Sequence, residues 1–536
     1  MASAHIDTFA RDNLPSRTLW PEFVFDLPEL QFPAQLNCAA TLLDRQVAAG
    51  HGDRRCIRAP GLTWTYAELL AQSNRIAHVL VDEMGLVPGN RVLLRAANNP
   101  MLAACWFAVV KAGGIAVATM PLLRAKELTD IIGKAQVSHA LCDVRLGGEL
   151  RAAIATSATL ANVRYFGSGA DDSLEALAKS TSPEFANVDT AADDTCIIAF
   201  TSGTTGQPKG TMHFHRDVVA ICECWPRHTL RATADDVFIG SPPLAFTFGL
   251  GGLLLFPLYV AASTVLLEKT APDVLLPAIA EFGATVCFTA PTSYRAMAAQ
   301  AANHDLSSLR KCVSAGEALP AATRSLWKQT TGIELIDGIG TTELLHIFIS
   351  ADEAQSRGGA TGKAVPGYVA CVIDENGAPV PAGKVGRLAV KGPTGCRYLA
   401  DERQRQYVSN GWNVTGDAYL VDDDGYFVYQ ARTDDMIISA GYNIAGPEVE
   451  SALLSHPAVA ECGVVGLADD ERGQIVAAFV VVREGFAPGE TLARELQDFV
   501  KQSIAPYKYP RRVVFRTSLP RTETGKLQRF RLRQEI

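Results

Sequence analysis

The run Thr201-Ser-Gly-Thr-Thr-Gly-Gln-Pro-Lys-Gly210 constrains this chain more than any other segment. Its ten positions hold three glycines, four hydroxyl residues and one lysine, and the apolar stretch Cys196-Ile-Ile-Ala-Phe200 leads into it. Glycine lets a backbone approach a ligand closely and turn several N–H groups toward an anion. The hydroxyls add donors and the lysine adds a mobile positive charge. A strand followed by such a loop suits a polyphosphate better than it suits a surface linker. It is not the common phosphate loop, whose lysine sits in G-x-x-x-x-G-K-[ST]. Here Lys209 follows Pro208 and precedes Gly210, and Gly133-Lys134, Gly362-Lys363, Gly383-Lys384 and Gly525-Lys526 lead into Ala135, Ala364, Val385 and Leu527.

At 536 residues the chain exceeds what one core supports, so two or more domains are expected. Residues 1–60, rich in proline and aromatics, read as a wrapping segment. Helix-like and strand-like pieces then alternate: a helix over 66–83, a strand at 91–95, a helix over 101–112, and strands at 114–119, 137–144, 284–288 and 311–314. That alternation predicts α/β layers on a largely parallel sheet. After about residue 359, short strands with turn signals (372–377, 386–390, 422–425) predict a β-rich subdomain. From Asp434 onward, helices at 448–454 and 492–503 mix with strands at 459–465 and 475–482. The expected architecture is α/β: a large N-terminal domain over 1–433, then a small mobile α+β C-terminal domain over 434–536.

Two apolar runs approach the roughly 20 residues that span a membrane. Residues 101–120 are interrupted by Lys111 and Gly113-Gly114, and 250–267 is glycine-rich and contains Pro257, so both are expected to be core. The N-terminus has no basic segment followed by an apolar one, so no secretory signal is expected. A net charge of −8 argues against nonspecific nucleic-acid binding. The twelve cysteines are scattered, with Cys222-Glu-Cys224 the one close pair, which points to buried thiols in a reducing cytoplasm.

Four further motifs follow the loop in order: Asp337-Gly-Ile-Gly-Thr-Thr-Glu343, Thr415-Gly-Asp417, Arg432-Thr-Asp-Asp435 and Pro520-Arg-Thr-Glu-Thr-Gly-Lys526. Together with 201–210 they resemble the adenylate-forming superfamily of acyl-CoA synthetases, luciferases and peptide-synthetase adenylation domains, over essentially the whole chain. The resemblance implies that Thr201, Ser202, Gly203, Thr204, Thr205, Gly206 and Lys209 hold the β- and γ-phosphates of ATP. It places Gly316, Glu317, Ala318, Asp337 and Gly338 around adenine and Thr342 on a phosphate. Asp417 would accept from both ribose hydroxyls, a bidentate use suited to a carboxylate, with Arg432 in support. Ile339 stands where the family carries a tyrosine against adenine. A carboxylate beside phosphate-binding hydroxyls is costly unless a cation lies between them, and Mg²⁺ shares phosphate oxygens with one or two carboxylates. By resemblance Glu343 is that Mg²⁺ ligand; a capping glutamate is the plainer reading. Lys526, otherwise a surface lysine, would be the catalytic lysine beside Thr342 and Glu343. Asp434 would be the hinge. Gly441 and Tyr442, in Ile438-Ser-Ala-Gly-Tyr-Asn443, would line the coenzyme A path.

Ala245-Phe-Thr-Phe-Gly-Leu-Gly251, Leu344-Leu-His-Ile-Phe348 and the opening Asp12-Asn-Leu-Pro-Ser-Arg-Thr-Leu-Trp-Pro-Glu22 resemble the benzoate and 2-aminobenzoate CoA ligase branch. Phe246, Thr247, Phe248, Gly249, His346 and His215 are the expected acid-pocket residues. Thr247 suits an ortho-amino group, so 2-aminobenzoate comes first and benzoate next. Another aryl or medium-chain acid, delivery to a carrier protein and a luciferase-like oxygenase stay open. The expected ligands are an aryl carboxylate, ATP, Mg²⁺ and coenzyme A, with no nucleic acid and no membrane span; a homodimer is left open.

Overall fold

The computed structural model describes residues 2–202, 208–439, 442–469, 472–521 and 527–534. Their strands form four sheets. A six-stranded sheet runs Asn162–Phe166, His139–Asp143, Arg91–Arg95, Ile115–Thr119, Thr195–Ser202, Pro208–Phe214; all neighbours are parallel except the last pair. A nine-stranded sheet carries Val237–Gly240, Val286–Thr289, Lys311–Ala315 and Leu335–Gly340 as parallel neighbours at its centre. Strands buried on both faces read as continuous apolar runs, as Val286-Cys-Phe-Thr289 does.

Local chemistry sets the helices between them. Thr65 accepts from the Glu68 amide while the Glu68 side chain accepts from the Thr65 amide, a capping box that starts Tyr66–His78. The Asn99 side chain accepts from the Leu102 amide, and Pro100 opens the buried helix Pro100–Lys111. The apolar run 101–120 is thus a core helix plus the strand Ile115–Thr119. Lys111 does not break the core: it is fully buried and its Nζ lies 2.6 Å from the Asp44 carboxylate. The 250–267 run folds as short helical turns followed by the strand Ser263–Val265. Among the described residues no helix is long and apolar enough to cross a membrane. All twelve cysteines are free, and ten are buried.

The β-rich part is an antiparallel sheet of Val369–Ile373, Gly386–Lys391, Trp412–Val421, Val408–Ser409 and Phe427–Arg432. The C-terminal region builds a separate sheet from Tyr442–Ile444, Ile437–Ser439, Gly473–Val482, Val459–Asp469 and Arg512–Arg516. Helices Gly446–Leu454 and Glu490–Ser503 help close its own core of Ile437, Val449, Leu453, Val464, Val480 and Leu496.

One seam ties the six-stranded sheet to the segment between the strands Gly386–Lys391 and Val408–Ser409. The Met212 amide donates to the Arg397 carbonyl (2.8 Å) and the Leu399 amide to the Gly210 carbonyl (2.8 Å), so 397–399 runs antiparallel to 210–212. Arg397 is wholly buried, ion-paired with the wholly buried Asp217, and its guanidinium lies 3.8 Å from the Phe214 ring centroid. Asp217 also accepts from the Phe214 amide at 2.9 Å, capping His215–Glu223. Removing one partner of a buried pair strands the other charge and costs about 3–5 kcal/mol. Asp217→Asn should therefore lose stability of that order in urea denaturation, and the double variant Asp217→Leu/Arg397→Met should recover much of it.

Candidate active site

Parallel α/β sheets bind ligands beyond the carboxyl ends of their strands. Thr195–Ser202, Lys311–Ala315 and Leu335–Gly340 end where three of the motifs begin. Gly203, Thr204, Thr205, Gly206 and the side chain of Ser202 lie outside the described residues. Their flanks are in register: Thr201 pairs with Lys209. The Lys209 ammonium sits 5.4 Å above the Tyr398 ring centroid. Gly316 follows its strand at φ +91°, a conformation glycine adopts without steric cost. The turn presents Glu317, 3.5 Å from Arg521 of the C-terminal region, with Ala318 next in the chain.

Three carboxylates gather across this edge. Glu343 is buried; its Oε1 accepts from the Tyr398 hydroxyl at 2.5 Å, and its other oxygen has no hydrogen-bond partner among the described residues. The preceding turn is held too: the Thr341 hydroxyl lies 3.2 Å from that of Tyr407, and the Thr342 carbonyl accepts from His213 Nε2 at 2.8 Å. Asp417 is buried opposite Arg432, whose Nη1 donates to it at 3.1 Å. Burial raises the Asp417 carboxyl above its ordinary range, Arg432 opposes that, and the nearby Glu343 charge adds to it. Burial pushes Asp337 up to about 7 against the pull of Arg324. Gly338, next to it, packs on Ile347, and Ile339 is half-buried. An unpartnered Glu343 oxygen within reach of the Asp417 charge is a donor set that fits a hard divalent cation.

Aromatic residues build the neighbouring wall. The chain passes Phe246 and enters the short helix Thr247–Leu250, with Thr247 and Phe248 half-buried and Gly249 buried. The Phe248 ring lies 5.8 Å from His346 and 5.6 Å from Phe288. Trp225 at 5.8 Å and Phe256 at 4.4 Å enclose the same imidazole. A Cβ on Gly251 would sit 2.3 Å from His346 Cδ2, so only glycine lets the ring lie there. Burial lowers the His346 pKa to about 3, so the ring is neutral. Its Nε2 faces the Phe248 carbonyl at 3.4 Å, while Nδ1 is buried without a partner among the described residues. The Thr247 hydroxyl likewise has no partner among them. His215 occupies a different setting: its Nδ1 accepts from the Cys38 amide at 3.2 Å and faces the Cys38 thiol, whose sulfur is 4.0 Å from that of Cys196. The rings around His346 are not among its contacts.

Residues 43–398 match the AMP-binding enzyme family, and residues 448–526 match the C-terminal domain of AMP-binding enzymes. The chain belongs to the AMP-binding enzyme family. A benzoate–CoA ligase of Thauera aromatica is 35% identical over 515 residues, covering 94% of this chain and 97% of that one. The solved anthranilate CoA ligase AuaEII, in complex with anthranoyl-AMP, superposes with a TM-score of 0.91 at 34% identity, covering 95% of this chain and 98% of that chain. A benzoate CoA ligase from Burkholderia xenovorans LB400 superposes at 0.85 with 32% identity, covering 93% and 99%. The protein is an AMP-forming acid–thiol ligase with the cofactors of its family, ATP, Mg²⁺ and coenzyme A.

In this AMP-binding enzyme, Lys526, Gly441 and the side chain of Asp434 lie outside the described residues. The Asp434 backbone falls in the turn Thr433–Asp435, between the strand Phe427–Arg432 and the C-terminal sheet. Tyr442 is exposed and stacks on Tyr507 with centroids 4.6 Å apart. Tyr398, Tyr407, His213 and Arg397 form no spaced motif, and each reaches its partner across a long stretch of chain, so sequence reasoning missed them.

Asp337 makes the site's charge testable. Between pH 3.8 and about 7 the folded chain keeps a proton that the unfolded chain has released. Stability from this group is therefore greatest below about pH 4 and falls as pH rises through about 7. Asp337→Asn should flatten that slope, read as urea midpoints at about pH 5 and pH 7 that lie closer together than in the parent.

Proposed function

We propose that this enzyme is an ATP-dependent aryl-acid–CoA ligase that takes 2-aminobenzoate first and benzoate next. The observation that carries the aromatic assignment is the wall of Phe248, Phe256, Phe288 and Trp225 around neutral His346. Offset or edge-on ring contacts are worth about 0.5–1.5 kcal/mol beyond area burial. The likeness to an anthranilate and a benzoate CoA ligase supports the same reading. What favours the ortho-amino acid is two polar groups of this wall, the hydroxyl of half-buried Thr247 and His346 Nδ1, which is buried without a partner among the described residues. An amino N–H can donate to one of them; benzoate has no such donor.

In the proposed reaction a carboxylate oxygen of the acid attacks the α-phosphorus of ATP, the bond to the bridging oxygen breaks, and pyrophosphate leaves. The thiol of coenzyme A then attacks the carbonyl carbon of the acyl-adenylate and AMP departs. Thr201, Lys209 and the 203–206 segment are assigned the β- and γ-phosphates, Thr342 a phosphate oxygen, Asp417 with Arg432 the ribose, and Gly316, Glu317, Ala318, Asp337 and Gly338 the adenine. Glu343 is assigned Mg²⁺, which when bound neutralises phosphate charge. Lys526 is assigned the charge developing at the α-phosphate, where a preorganised donor contributes on the order of 10²–10³-fold. The small domain over 434–536 is assigned a rotation at Asp434 that withdraws Lys526 and brings Gly441 and Tyr442 to the thiol path. Its described polar contacts with the large domain are few, such as Arg295 on the Leu454 carbonyl (3.2 Å) and Arg521 on Glu317 (3.5 Å).

Pyrophosphate release across aromatic and aliphatic acids, with and without coenzyme A, tests the substrate class. A benzoate rate well above that of 2-aminobenzoate would overturn the ortho-amino preference. Thr247→Val should cut kcat/KM for 2-aminobenzoate about fivefold relative to benzoate, as loss of one hydrogen bond of roughly 1 kcal/mol does. Lys526→Ala should abolish adenylation yet convert supplied aryl-adenylate to thioester; equal loss of both half-reactions would sink its assignment.

A further inference from the structure

Tyr398 touches two groups that the proposed reaction uses and that no covalent neighbour links. Its hydroxyl donates to Glu343 Oε1 at 2.5 Å, and its ring lies beneath the Lys209 ammonium at 5.4 Å. The residue is almost wholly buried. Its backbone is fixed from two sides: its amide donates to Gln404 Oε1 at 2.9 Å, and it bridges Thr211 in the seam of 397–399 with 210–212. The hydroxyl is the donor in its bond to Glu343 and so points its proton at the carboxylate. Glu343 then has one oxygen committed and one without a partner among the described residues.

We propose that Tyr398 is a positioning residue with two separable functions: its hydroxyl orients Glu343 toward the divalent cation, and its ring seats Lys209 for the pyrophosphate end of ATP. The proposal rests on the assignment of Glu343 as the cation ligand. Partners that hydrogen-bond a metal-ligating carboxylate fix its orientation, and losing them costs 10–100-fold in metal affinity. A cation held over an aromatic face is attracted by the ring and needs no hydroxyl. Tyr398→Phe keeps the ring and removes the proton; Tyr398→Leu removes both. Tyr66, equally buried, donates its hydroxyl to the Ala262 carbonyl at 2.6 Å and takes no part in the proposed reaction, so it serves as the control.

The test titrates Mn²⁺ into the full-length enzyme with α,β-methylene-ATP and follows bound metal by electron paramagnetic resonance. Cation-free nucleotide affinity and thermal midpoints are measured in parallel. Tyr398→Phe should weaken Mn²⁺ binding about 10–100-fold and leave cation-free nucleotide affinity within about twofold of the parent. Tyr398→Leu should weaken both, and Tyr66→Phe should leave Mn²⁺ binding near the parent value. Should Tyr398→Leu not fold, Tyr398→Phe alone decides. If Tyr398→Phe lowers only the thermal midpoint, with Mn²⁺ affinity unchanged while Glu343→Gln weakens it, the positioning role is overturned and the Glu343 assignment survives. If Glu343→Gln also leaves Mn²⁺ affinity unchanged, the Glu343 assignment falls and takes the proposal with it.

Discussion

The buried ion pair of Arg397 and Asp217 is the constraint on which the site depends. Two charges out of water are tolerated only when geometry and further hydrogen bonds offset desolvation. Asp217 meets part of that demand by capping its helix at the Phe214 amide, and Arg397 by reaching the Met212 carbonyl and lying against the Phe214 ring, while Asp217 Oδ1 and Arg397 Nη1 have no partner among the described residues. The pair thereby clamps 397–399 to the strand Pro208–Phe214. Everything that follows Arg397 in the chain inherits its position, beginning with Tyr398 under Lys209. From the same strand His213 reaches the Thr342 carbonyl. A strand flanking the phosphate loop is thus tied to the turn that carries Glu343, although the two belong to different sheets.

The same scaffold buries three carboxyl groups. Glu343, Asp417 and Asp337 are all buried, and burial raises the carboxyls of Asp417 and Asp337. Arg432 and Arg324 offset part of this, and neither bonds Glu343. Carboxyls shifted upward by burial in this way mark candidate functional sites. Under the proposed assignments that burial is offset when a cation and the donors of a nucleotide arrive: ribose hydroxyls for Asp417, an adenine amino group for the adenine-facing segment and a divalent ion for Glu343. In that view the site is poorly satisfied alone, and ATP with its metal completes it.

How much of this was legible in the sequence follows from where the information lies. The α/β alternation, the β-rich part from about residue 359 and the mixed C-terminal part were readable because periodicity and turn chemistry are local. The family motifs were readable because each is a contiguous string. Contacts that orient them were not: Tyr398 meets Glu343 across 55 residues, His213 meets Thr342 across 129, and Arg397 meets Asp217 across 180. No spacing rule connects such pairs. Lys111 read as an interruption, yet it is a buried partner of Asp44. His215 read as a candidate for the acid pocket because it follows the loop. The strand Pro208–Phe214 instead delivers it to Cys38 and Cys196, cysteines that look isolated along the chain.

The acid wall shows why family is easier to read than substrate. The segments assigned to phosphate and ribose use charges and glycines in contiguous motifs, which is what carries the family. The acid end is built from apolar rings, and a hydrophobic pocket separates ligands that differ by one small group by only about 1–3 kcal/mol. If the proposed function holds, separating 2-aminobenzoate from benzoate falls to the few polar atoms in that wall. His346 is held neutral by burial, with one nitrogen facing the Phe248 carbonyl and the other unpartnered, and Thr247 contributes a lone hydroxyl. A polar atom left unpaired in an apolar wall is costly to the protein alone. For His346 Nδ1 that cost is offset only when a donor arrives, and under the proposed function the ortho-amino group of the acid is that donor.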